Sequence, residues 1–272
     1  MMVEGLLTRA LLFSLMLCVP VYAQQPVRVA QEMRPLYPRD YYLQALLQSA
    51  LAISDKPYTI SYVDVHPHQQ RILYMLDGKR VDVHWSMTSP AREKLAIAVK
   101  VPLFKGLIGQ RVLLAHPKLA RALSAVESVS QLRQFSAVQG HDWPDTNILA
   151  ANNLPVKAVA NYQTMFRLTA QQRVDYFPRS VIEVVDELQA HQQMQLQIVD
   201  HVVLNYPSAF YFFVSKNRPE LATHLRQGLN ELIQRGEFDA LFTRYFSANL
   251  ETLSLASRRH IMLANPFYIE SP

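Results

Sequence analysis

Glycine and cysteine are both scarce in this 272-residue chain, which holds seven of the first and one of the second. At an ordinary glycine usage of about 7%, roughly 19 would be expected. Phosphate cradles depend on glycine because only a backbone without Cβ lets an anion approach closely. The seven, Gly5, Gly78, Gly106, Gly109, Gly140, Gly228 and Gly236, form neither GxGxxG nor GxxxxGK[ST]. That excludes the usual nucleotide-binding loops. GxSxG and HExxH are also missing, and with them the common hydrolase signatures. The single cysteine, Cys18, lies in an N-terminal apolar run, so the rest of the chain uses neither disulfides nor thiolate chemistry and tolerates an oxidising compartment.

That N-terminal run has its own logic. Arg9 precedes apolar residues 10–19, Pro20 ends the run, and Ala23 supplies a small residue for cleavage. This is the layout of a secretory signal peptide over residues 1–23. About ten apolar residues are too few to span a bilayer, which takes roughly 20. Leu17 stands before Cys18, where a lipoprotein would have a small residue, so no lipid anchor is expected. The chain is therefore expected in the periplasm.

What is present points to a folded, charged-surface protein. Half of the residues are hydrophobic (50%), enough for a sizeable core, and the net charge is +5. The basic residues are scattered, with one cluster at Arg258-Arg259-His260. A solvated surface is expected, and no nucleic-acid partner.

Short β-branched runs alternate with amphipathic stretches, a rhythm that predicts an α/β fold with a largely parallel sheet. Strands are predicted at 27–30, 58–63, 81–85 and 109–115, with helices at 40–53 and 67–76. Ser89 is a predicted N-cap, with Pro90 at the first helical position. A second set follows, with strands at 137–139, 156–160 and 174–177 and helices at 145–151 and 162–171. Ser180 and Glu183 form an S-x-x-E capping box that predicts a helix to about 190. Segments 197–202 and 209–214 read as extended, and helices at 219–235 and 237–245 close the chain.

Two histidine features invite metal or acid–base roles. His66-Pro67-His68 could seed a metal site, but the sequence offers no third ligand at useful spacing, so the pair reads as solvated and no metal or cofactor is expected. His84, on a strand, reads as a structural residue with its hydrogen bonds satisfied.

Three segments carry a resemblance. Leu76-Asp77-Gly78-Lys79-Arg80-Val81-Asp82-Val83, Thr88-Ser89-Pro90-Ala91-Arg92-Glu93-Lys94 and Gln172-Arg173-Val174-Asp175-Tyr176-Phe177 together resemble the family-3, amino-acid-receptor-like branch of ABC transporter substrate-binding proteins. The resemblance implies the type II periplasmic-binding-protein fold, two α/β lobes joined by two crossing strands. The first lobe would be 24–113 with 208–272, and the second 114–207. It implies a monomer that captures a small molecule between the lobes and presents it to a membrane transporter permease, or to a receptor in a sensory variant, without catalysis.

The same resemblance assigns residues. Arg92 falls where the family holds a ligand carboxylate, with Thr88 or Ser89 supplying a hydroxyl and Trp85 lining the first-lobe wall. Where relatives have Gly-Thr at a helix N-terminus, this chain has Gly140-His141-Asp142-Trp143-Pro144, and Asp142 is expected to cap that helix. Where many relatives place an aspartate, it has Tyr176-Phe177-Pro178-Arg179, with Pro178 expected to turn the chain out of its strand and aim Arg179 at the cleft. These departures favour a carboxylate-bearing polar ligand, with a second anionic group or an aromatic or hydroxylated body, over an ordinary α-amino acid. The fold also hosts dehydratase-like enzymes, in which His141 and Asp142 would act as acid and base.

Overall fold

A computed structural model describes residues 24–268; the segment read as a signal peptide lies outside the described residues. The chain opens with β1 (Gln25–Glu32), α1 (Pro38–Ala52), β2 (Tyr58–Val65), α2 (Gln69–Tyr74), β3 (Val83–Met87), the short α3 (Pro90–Glu93) and β4 (Ile97–Val99). It continues through β5 (Gln110–Ala115), α4 (Pro117–Ser124), α5 (Val129–Leu132), β6 (Ala137–Gly140), α6 (Pro144–Ala151), β7 (Val156–Val159) and α7 (Tyr162–Ala170). Next come β8 (Phe177–Ser180), α8 (Val184–Ala190), β9 (Gln197–Ile198) and β10 (Val202–Asn205). The last elements are β11 (Phe210–Val214), α9 (Pro219–Gln234), α10 (Glu237–Thr252) and β12 (Arg259–Met262).

These elements form two lobes, each built on its own sheet. The first sheet has the order β2-β1-β3-β11-β4. Its β1 runs parallel to β2 and β3, and β11 is inserted antiparallel between β3 and β4. All five residues of β11, FYFFV, are buried, as a strand covered on both faces requires. Helix α1 buries Leu43, Leu46, Leu47 and Ala50 along one stripe, the 3.6-residue spacing that the sequence shows. Tyr42 on that stripe sits edge-on to Phe242 and Phe246 and donates its hydroxyl to the Leu103 carbonyl at 2.8 Å.

The second sheet, β12-β10-β5-β8, is mixed. Here β10 is parallel to β12 and antiparallel to β5, and β5 is antiparallel to β8. A separate two-stranded sheet, β6–β7, is parallel. The expectation of a largely parallel sheet is therefore not met: parallel pairs join β1 to β2 and β3, but both five-stranded sheets are mixed. Among the described residues no helix is long and apolar enough to cross a membrane.

Three sequence-based details change. Pro178 does not turn the chain out of a strand, because it pairs opposite Leu113 inside β8. That strand is the edge of its sheet, where a missing N–H leaves no ladder bond unmade. The Ser180–Glu183 capping box does not form either: Ser180 belongs to β8 and the helix begins at Val184. Finally, the range 208–272 does not stay with the first sheet, since β12 pairs with β10 in the second.

The lobes are thus joined by three passages of chain: β4 to β5, β10 to β11, and α10 to β12. The first two touch at Gly109, where the Tyr206 amide donates to the Gly109 carbonyl at 3.2 Å. A Cβ on Gly109 would lie 2.0 Å from the Tyr206 carbonyl oxygen, so this approach requires glycine.

His84, near the start of β3, is 1% exposed, and neither ring nitrogen has a hydrogen-bond partner among the described residues. The imidazole is structural but not satisfied, contrary to the sequence reading. Burial holds its pKa down to about 4 from an ordinary 6.5, with the Glu32 charge only partly opposing. A depressed folded-state value means that the contribution to stability is complete above about pH 6.5 and is lost as pH falls toward 4. We expect His84→Phe to flatten the stability profile in that window by up to about 1.4 kcal/mol per pH unit, one proton's worth. Urea unfolding at pH 7, 5.5 and 4.5 measures it; an unchanged slope in the variant would rule the imidazole out.

Candidate functional site: a charged cleft between the lobes

The facing ends of the two sheets bring together side chains far apart in sequence. From the first lobe, the turn after β1 supplies Glu32 and Arg34, the start of α1 supplies Arg39 and Asp40, and the end of β3 supplies Met87. From the second, β5 carries Arg111 as its second residue, Trp143 caps α6 and Asp145 lies in its first turn, β8 carries Arg179, and α8 brings Glu183 at its N-cap and Glu187 within it. The space enclosed between these walls is small, about 70 Å³, room for a few waters.

Nearly every charge in the cleft is answered by another. Arg34 grips Asp40 with both terminal nitrogens at 2.8 and 2.9 Å and places Nε on Glu32 at 2.6 Å. Arg179 clasps Glu187 through Nε at 2.6 Å and Nη2 at 2.5 Å, and reaches Glu183 at 2.9 Å. Arg111 lies 2.8 Å from Asp145 and 3.4 Å from Glu183. Arg39 crosses from the first lobe to Glu183. Burial alone would raise the Glu183 pKa; the charges of Arg179, Arg39 and Arg111 overcome this and hold it at about 2. Tyr162 donates to Glu187 at 2.6 Å, and the Arg179 guanidinium lies 5.0 Å from the ring centres of both Trp143 and Phe177.

Arg92, which lies beside the cavity without lining it, is the exception. It is 4% exposed, yet no carboxylate lies within ion-pairing distance of it among the described residues. Its Nη1 donates to Ser86 Oγ and to the Met87 carbonyl, the latter at 3.0 Å, and its Nη2 reaches across the cleft to the Asp142 carbonyl at 2.7 Å. Burial pushes its pKa down to about 10, with Asp142 and Asp145 opposing only in part.

The other residues singled out from sequence separate clearly. Ser89 caps α3, accepting from the Arg92 amide at 3.3 Å, and Thr88 donates to Glu93 at 2.7 Å. Both hydroxyls are therefore engaged locally. Trp85 packs edge-on to Phe212 in the core, and Tyr176 is fully buried in the core with no partner for its hydroxyl. Trp143 lines the cavity, as does Arg179, whose charge is taken up by Glu183 and Glu187. His141 is exposed at the rim.

Asp142 does not cap α6. Pro144 at the first helical position makes Trp143 the N-cap and leaves Asp142 one residue too early. Its carboxylate turns to the first lobe, accepting from the Gln70 amide at 3.1 Å. Gly140 permits this turn, since a Cβ there would lie 2.6 Å from the Trp143 ring.

The sequence reading missed Arg39, Arg111, Asp145, Glu183 and Glu187 as cleft residues. One signal was available for Arg111, the single charge in the strand QRVLLA, buried at its second position.

No protein-family model and no curated protein matches the sequence. Solved structures do match. An ancestral arginine-binding protein bound to arginine has a TM-score of 0.61 at 14% identity, covering 82% of this chain and 99% of that one. The fold is that of the type II periplasmic binding proteins. A Bacillus subtilis chain assigned as an amino-acid ABC transporter extracellular-binding protein gives 0.60 at 14% identity, with 82% and 99% covered. A histidine kinase sensor domain with similarity to periplasmic binding proteins gives 0.58 at 14%, with 82% and 96% covered.

Glu183 is the node on which three guanidinium groups converge, so its charge is the one to remove. Glu183→Gln keeps the shape and leaves Arg39, Arg111 and Arg179 undercompensated in a buried site. The expected cost is about 3–5 kcal/mol, read as a loss of chemical stability at pH 7. A loss under about 1 kcal/mol, typical of an exposed pair, would show that the network contributes little.

Proposed function

We propose that the protein is an exported binding protein that captures a small, polar, carboxylate-bearing solute in the interlobe cleft and presents it to a membrane transporter permease, acting as a monomer and without turnover. The observation that carries this reading is Arg92, a buried guanidinium beside the cavity with no acidic partner among the described residues, whereas Arg34, Arg39, Arg111 and Arg179, which line the cavity, all have one. A planar guanidinium takes a carboxylate through two parallel, charge-assisted bonds. Its bond to the Asp142 carbonyl crosses the lobes and would be released on opening, leaving Nη2 for the solute.

The neutralisation of Arg179 by Glu183 and Glu187 removes the main support for a second anionic group on the ligand. A single carboxylate on a polar body fits the charge balance better. Binding by closure follows the same logic, because a solute that contacts both walls stabilises the closed arrangement by its differential affinity. The likeness to a sensor domain supports a receptor ectodomain as a second reading for the partner. The residues 1–23 pattern supports a periplasmic location in either case.

Thermal-shift and calorimetric screening against amino acids, hydroxy acids, dicarboxylates, sugars and polyamines tests the reading. A carboxylate solute should bind the wild type, bind at least 100-fold more weakly to Arg92→Ala, and show intermediate affinity with Arg92→Lys, which keeps the charge but not the fork. Binding confined to uncharged sugars or polyamines, or undiminished in Arg92→Ala, would overturn it.

A further inference from the structure

At the rim of the cleft the fold completes a cluster that the sequence leaves unfinished. His68 precedes α2 in the first lobe, and His141 and Asp142 follow β6 in the second. Their nearest ligand atoms all lie within 4.8 Å of one another. His68 Nδ1 is 3.5 Å from Asp142 Oδ2, and the rings of His68 and His141 are 4.7 Å apart between centres. The third ligand missing beside His66-Pro67-His68 thus comes from the other lobe, 73 or 74 positions away in the chain.

We propose that His68, His141 and Asp142 form a binding site for a divalent transition-metal ion of the zinc type, ligated from both lobes at once. Two imidazoles and one carboxylate are a donor set that suits such ions and leaves a fourth position for water or solute. Ligands about 2.0–2.2 Å from a tetrahedral ion stand roughly 3.3–3.6 Å from one another, so the His68–Asp142 separation already fits. The remaining contraction falls to His141, which is exposed, and to His68, whose side chain is 29% exposed; both have room to turn. The carboxylate is held in place by the Gln70 amide at 3.1 Å, the kind of outer contact that orients metal ligands. Arg92 binds the Asp142 carbonyl, not its carboxylate, so no side-chain cation competes for that donor at salt-bridge distance apart from His68 itself.

The cluster also stands in a defined relation to the cavity. Pro67 and Gln69, on either side of His68, line the cavity, as does Trp143, which follows Asp142. An ion there would fasten the mouth of the cleft. Because it binds only when the lobes face each other, it favours the closed arrangement by its own binding free energy, and it must be coupled to anything else that favours closure. The metal site rests on these three residues alone and stands or falls separately from the solute reading.

The test uses Zn²⁺ alone, with no solute added. Purified protein stripped with chelator is titrated with ZnCl₂ by calorimetry and by competition with a chromophoric chelator, and unfolding is followed with and without the ion. One ion per chain is expected, together with a raised melting temperature. His68→Ala and His141→Ala, one in each lobe and both at sites exposed enough to leave the fold intact, should each weaken binding at least tenfold and abolish the thermal shift. His66→Ala should change the affinity less than threefold. Failure to bind Zn²⁺ stoichiometrically would overturn the proposal. So would a pattern in which His66→Ala and His68→Ala remove binding while His141→Ala does not, since that would place the ion on one lobe.

Discussion

Glu183 holds the two lobes to one another. Its carboxylate meets Arg179 and Arg111 from its own lobe and Arg39 from the opposite one, in a largely buried site. Each guanidinium in turn needs a second carboxylate, supplied by Glu187, Asp145 and Asp40. Removing one member leaves its partners charged and buried, so the set behaves as a unit. The aromatic walls of Trp143 and Phe177 lie against Arg179. The shape of the cavity, the position of Trp143 and the approach of α1 to the second lobe all depend on that unit.

Against this neutral background Arg92 stands apart. The chain invests four cleft arginines in pairs with its own carboxylates and leaves the fifth resting on neutral oxygens. A buried cation satisfied only by a hydroxyl and two carbonyls is held at some cost, and that cost is what makes an incoming anion favourable. The nearby hydroxyls do not compete for the role: Ser89 fixes the start of α3 and so the place of Arg92, while Thr88 is tied to Glu93. The contrast also bears on selectivity. A second cation free to meet a second anion is not found among the described residues of the cleft wall.

The alternation of the fold was readable because the strands and helices follow simple patterns. The stripe of α1, the Ser89 cap and the buried run of β11 all emerge where local rules place them. The failures have equally local causes. Glu183 looks like half of a capping box, but three guanidinium groups outcompete one backbone amide for its carboxylate. Asp142 looks like an N-cap, but Pro144 moves the helix start one residue on. Strand β12 had no signal in RHIM, a segment whose pattern is mostly exposed and whose pairing with β10 depends on the whole second sheet. The cleft itself was the least legible part, since ion pairs between residues such as Arg39 and Glu183, 144 positions apart, leave no trace in local sequence.

Helix α10 has a mechanical consequence. It packs on α1 through Phe242 and Phe246 against Tyr42, while Asn249 near its far end donates to Asp186 of the second lobe at 3.2 Å. Sixteen residues at 1.5 Å each make a rod of about 24 Å, anchored in one lobe and braced on the other. Beyond it, Ser254 takes a left-handed conformation with φ of 47°, and Arg258 is bound to the Val199 and Val202 carbonyls of the second sheet. Two adjacent strands alone would let the halves swing freely, like a door on its pins. The rod acts as a stay on that door, so any swing has to be absorbed by the brace at Asn249 and by the joint between Leu253 and Arg258. A change in the angle between the lobes would therefore disturb contacts at Asn249 and at Arg258 as well as those at the cleft.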